Sequence, residues 1–152
     1  MRTASIPKTC LALAFPAVLI LFSAVPLRAA DALGPGACDI QHGPCSVTTV
    51  SGMSIEFDIH PKPVKPLSKL LFIVSLKDKG KAITDAQVSL DLTMPGMYMG
   101  KNASVLTQAA GGRYEGNGVI TRCMSGKKTW KADILVERGS ARDRAGFLFE
   151  VQ

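Results

Sequence analysis

The sequence predicts an all-β fold, an antiparallel immunoglobulin-like sandwich of about seven strands that follows an N-terminal signal segment. Three observations predict it. From Ser46 onward, apolar and polar residues alternate with period two in short runs. Turn residues separate the runs at about the interval expected of two packed sheets. No stretch of ten or more residues in this region shows a 3.6-residue apolar period. A small barrel, OB-like or otherwise, is the alternative architecture for the same pattern.

Residues 1–32 read as a signal peptide. Arg2 and Lys8 supply a positive start, residues 9–27 are charge-free and apolar, and Ala30-Asp31-Ala32 is an A-x-A cleavage site. This charge-free run of nineteen residues is also long enough for an uncleaved helix in the inner membrane. Pro16 and Pro26, with the small residues that follow, favour cleavage. Lipidation is disfavoured, because Pro35-Gly36-Ala37-Cys38 lacks a leucine three residues before the cysteine. The expected location is therefore periplasmic or secreted.

Cleavage after Ala32 leaves 120 residues, enough for one domain with one core. Loss of Arg2, Lys8, Arg28 and Asp31 leaves fifteen basic and eleven acidic residues, so the net charge falls from +6 to +4. The lysines are interleaved with turn residues, and no basic stripe with stacking aromatics is present, which argues against nucleic-acid binding.

Residues 33–52 form a cysteine-containing N-terminal segment, and residues 53–152 the β domain. Three cysteines survive processing: Cys38, Cys45 and Cys123. Export favours one disulfide and leaves one thiol over. Gly43-Pro44 could fold the chain back between Cys38 and Cys45, but a bridge from Cys123 to this segment is equally open.

Each strand follows from its own pattern. Met53, Ile55, Phe57 and Ile59 alternate with polar residues. Pro61, Pro63 and Pro66 then exclude a paired strand, since proline has no backbone donor. Residues 70–76 are nearly all apolar, as in a buried central strand, and residues 78–81 turn the chain. Val88, Leu90 and Leu92 alternate, residues 104–108 form a short strand, and Gly111-Gly112 closes it. Tyr114, Gly116, Gly118 and Ile120 share one face, whose glycines leave room for close approach or a bulge. Trp130, Ala132, Ile134 and Val136 alternate, and Phe147, Phe149 and Val151 end the chain.

The most informative segment is Met94-Pro95-Gly96-Met97-Tyr98-Met99, which holds three of the five methionines left after processing. Methionine ordinarily fills gaps in cores, scattered one by one. Pro-Gly at the centre suits a type II turn, which brings the Cα atoms of Met94 and Met97 within about 7 Å. In extended chain beyond the turn, Met97 and Met99 point to the same side. Thioethers are soft ligands that select Cu(I). Met94, Met97 and Met99 are therefore candidate copper ligands. His42, His60, Met53, Met124 and whichever cysteine stays reduced are candidate supplements. Two histidines without paired-ligand spacing make no structural zinc site. No phosphate loop or nucleophile elbow occurs, and no small-molecule substrate is evident. The expectation is a non-enzymatic protein.

Three segments together resemble the YtkA-like family of exported bacterial domains, which are close to the FixH-like proteins. They are residues 91–100, residues 112–119 with Tyr114 and Gly116, and residues 128–135 with Trp130. The resemblance covers approximately residues 53–151 and implies an immunoglobulin-like β-sandwich associated with copper handling, oxidase assembly or efflux adaptors. Met94, Pro95, Met97 and Met99 match the family's methionine loop; Tyr114, Gly116 and Trp130 match positions explained by the fold. FixH-like proteins carry a membrane anchor where this chain carries a cleavable segment. The resulting expectation is an exported accessory domain that binds or passes Cu(I). The rival expectation is a metal-free module whose Met- and Pro-rich loops dock a membrane or envelope protein partner.

Overall fold

The computed structural model describes residues 37–97, 100 and 102–152. The signal segment, Tyr98, Met99 and Lys101 lie outside the described residues. The described residues form a compact unit with a hydrophobic core of its own. No helix among the described residues is long and apolar enough to cross a membrane.

The described chain is all-β and antiparallel, with nine strands and a single short 3₁₀ turn. The strands are β1 (Cys45–Thr48), β2 (Met53–His60), β3 (Leu70–Asp78), β4 (Lys81–Ala82) and β5 (Gln87–Thr93). Next come β6 (Ala103–Gln108), β7 (Arg113–Gly118), β8 (Thr129–Arg138) and β9 (Ala141–Glu150). Seven of them correspond to the seven expected runs. The additions are β1, whose four residues are mostly exposed, and the two-residue β4.

The strand order is β1-β2-β3-β7-β6-β5-β8-β9, with β4 beside β3. The sheet turns its corner at β6. Residues 103–106 of β6 pair with β5, whereas Thr107 and Gln108 pair with Glu115 and Tyr114 of β7. A strand that changes partners in this way carries one sheet into the next. The two halves fold onto each other, so that Phe57 of β2 stacks on Phe147 of β9 at 5.6 Å and meets Phe149 at 6.1 Å. The result is nearly a barrel.

Alternation explains the core. In β2, β3, β5 and β8 every second side chain is buried, and no polar or charged residue is. Tyr114 is buried with its hydroxyl satisfied: it donates to the Ile83 carbonyl and accepts from the Ala86 N–H, both at 3.1 Å. The β7 glycines serve the close approach expected of them. A Cβ on Gly116 would lie 2.5 Å from a methyl of Leu106, and one on Gly118 would lie 2.6 Å from the Phe72 ring.

The N-terminal segment spans the remaining seam between β9 and the start of the sheet. Ala37 bridges Leu148 in parallel, and the Cys38 N–H donates to the Leu148 carbonyl at 2.7 Å. The Gln41 side chain donates to the Glu150 carbonyl at 2.7 Å and accepts from the Val64 N–H at 2.8 Å. Ile40 is fully buried. Cys38 is disulfide-bonded to Cys45 at the head of β1, with Cα atoms 5.7 Å apart. Of the three pairings open to the sequence, the local one forms.

Candidate functional site

The methionine loop begins where β5 ends. Val88, Leu90 and Leu92 face the core, and Met94 continues the same parity, so it too is buried, at 2% exposure. The chain then turns. Gly96 has φ +73°, the left-handed value that glycine accepts at the third position of a type II turn, and the Met97 N–H donates to the Met94 carbonyl at 3.0 Å. The expected turn is therefore present. Its two outer residues differ in environment, since Met97 is only partly buried against the rim of the core.

Met97 reaches a second sulfur. The Cys123 thiol donates toward the Met97 Sδ at 3.8 Å. Cys123 is the cysteine left free by the Cys38–Cys45 bridge, and it is buried at 8% exposure. Its Sγ also lies 2.9 Å from the Ser125 hydroxyl. The thiol's pKa is held below its ordinary value, first by the hydrogen bond from the Ser125 hydroxyl and then by the Ser125 N–H. Burial opposes the shift, while the N–H and charge of Lys127 reinforce it. A thiol hydrogen-bonded in this way favours the thiolate, the form that binds metals.

Cys123 lines a cavity of about 260 Å³ together with Pro66, Arg122, Lys127, Lys128 and Trp130. Trp130 and Val151 give it an apolar floor, and its rim is cationic. A larger hollow of about 700 Å³ lies over β5, β6, β8 and β9, where Lys131 is already paired with Asp133 at 2.7 Å.

Among the supplementary candidates, Met124 adjoins the pair in sequence. His42 is exposed and paired with Asp39 at 2.7 Å; His60 is paired with Asp58 at 2.9 Å. Met53 is core, at the end of β2 remote from His60, about 23 Å away along an extended strand. Met124 follows Cys123 directly and is fully exposed. Met99 lies outside the described residues. No group of three or more His, Cys, Asp or Glu side chains suited to a metal occurs among the described residues.

Met94 was legible as a core residue by parity with Leu92. The partnership of Met97 with Cys123 was not, because it depends on which cysteine stays reduced and on a contact across 26 residues. No protein-family model matches the chain, and no curated protein matches it.

Proposed function

We propose that this chain is an exported, non-enzymatic accessory domain that holds or passes Cu(I) through a thiolate–thioether pair, Cys123 and Met97. The observation that carries the reading is their 3.8 Å separation. With metal–sulfur bonds of about 2.3 Å, as for a metal thiolate, two sulfurs at a tetrahedral angle lie about 3.8 Å apart. Soft sulfur donors select Cu(I) over harder ions. Burial of Met94 argues for giving its place in the ligand set to Cys123. Met99, two residues beyond Met97, and exposed Met124 supply further thioethers nearby in the chain.

The kinship with YtkA-like and FixH-like domains, and the finer description of the fold as immunoglobulin-like, belong to the same proposal. The methionine turn at the mouth of the domain and the fold-bearing positions of Tyr114, Gly116 and Trp130 support them. A disulfide at Cys38–Cys45 accords with an oxidising compartment.

Residues 31–152 titrated with Cu(I) against a competing chelator should bind one ion. Met97→Leu with Cys123→Ser should abolish binding, whereas Met94→Leu should leave it nearly intact. No binding by the parent, or equal affinity in the Met97/Cys123 double variant, would overturn the reading.

A further inference from the structure

The cavity end of the molecule has a charge distribution that copper binding does not explain. Two segments meet there: the Leu67 N–H donates to the Ile120 carbonyl at 2.7 Å, and Pro66 shares the cavity wall with Arg122, Cys123, Lys127 and Lys128. Neither segment 61–72 nor segment 116–132 contains an Asp or Glu, yet together they carry six lysines and one arginine. Lys62 and Lys131 are paired, with Asp58 and Asp133. Among the described residues, Lys65, Lys69, Arg122, Lys127 and Lys128 form no ion pair. Glu150, opposite Thr129 in the β8–β9 ladder, is the carboxylate closest in the ladder to this end.

Apolar side chains stand out among these cations. Leu67 is 64% exposed, Val119 45% and Met124 fully so. Leu67 is also held against its own preference. It follows Pro66 in a turn, at the position glycine normally takes, with φ +62°. A left-handed backbone is costly for leucine and persists where the surroundings fix it; such strain concentrates at binding and catalytic sites. The strain here presents an aliphatic side chain to the outside.

We propose that this end is a docking face for a lipid bilayer bearing anionic phospholipid. Clustered Lys and Arg are attracted to an anionic surface, and protruding aliphatic side chains enter the headgroup–acyl boundary beneath them. Leu67 and Met124 stand on separate turns between cations, and Val119 stands just beyond the end of β7. That arrangement suits insertion into a soft interface better than packing against a rigid protein, which needs a continuous, complementary patch. The cavity, its thiol and the methionine turn would then face the membrane surface. The proposal stands independently of the copper reading.

Vesicle flotation of residues 31–152 tests it, with pure phosphatidylcholine compared against phosphatidylcholine mixed with phosphatidylglycerol. Binding is expected only to the mixture, and it should weaken as salt rises. Each neutralised cation should cost about fivefold in partition, so Lys127→Gln with Lys128→Gln should cost about 25-fold. Leu67→Gly should lower partition severalfold while holding or raising the melting temperature, which separates lost insertion from lost folding. Cys123→Ser with Met97→Leu should bind vesicles like the parent. Indifference of the parent to phosphatidylglycerol would overturn the proposal. So would unchanged partition of the Lys127/Lys128 variant, or capture only by an acidic protein.

Discussion

Cys123 sits between a hydroxyl and a thioether, and the hydroxyl side of that placement lowers its pKa. The Ser125 hydroxyl and N–H stabilise the thiolate, Lys127 adds to them, and burial works against both. In an unfolded chain the thiol ionises at its ordinary value. The native thiol ionises lower, so it loses its proton first as pH rises. The group therefore contributes stability that is complete above the unfolded value and is lost as pH falls through the native value. Alkylation of Cys123 by iodoacetamide should follow a pH profile with its midpoint below that of a free cysteine. Ser125→Ala should move the midpoint up, and Lys127→Gln should move it less. A midpoint that ignores Ser125→Ala would mean the hydroxyl does not act on the thiol.

The disulfide and the segment it anchors form the next scale. The bridge closes a loop of seven-residue separation, and the chain-entropy model assigns such a loop about 2.5 kcal/mol. Cys38→Ser with Cys45→Ser should therefore lower the melting temperature by about 10 °C for a domain of this size. The backbone amides of residues 37–41 should lose hydrogen-exchange protection before those of β3 or β8. Most of the strands were legible because one face of each is buried and the period of two is strict, as in Met53 to Ile59 and Trp130 to Val136. β1 was not legible as a separate strand: its residues are half-buried or exposed, and its place comes from pairing with β2 and from the bridge. β9 begins six residues before the Phe147 run, since Arg142 to Arg144 pair with β8 without contributing to the core. The change of sheet at β6 had no sequence signal, because only Leu106 of its six residues is buried.

At the scale of the whole molecule, β6 joins the two halves by pairing with both β5 and β7. Its one buried side chain, Leu106, fills the space that a Cβ on Gly116 would occupy. Leu106→Ala should cost about 3 kcal/mol, within the usual range for a buried leucine. The transition should nonetheless stay single. The fluorescence of Trp130, the chain's one tryptophan, and the far-ultraviolet signal of the sheet should melt at the same temperature. Two separated transitions would show that the halves fold independently and that β6 is only a tether.

The Gln41 clamp also orders events in time. During synthesis residues 37–41 leave the ribosome early, yet their hydrogen-bonding partners, Leu148 and Glu150, come more than a hundred residues later. Until β9 is made, Ile40 and Cys38 have no seam to enter. Such long-range closure is slow because the loop entropy is spent before the contacts form. A chain built this way stays unlatched while it is being made and can still be threaded through a narrow passage. It locks only when the final strand arrives.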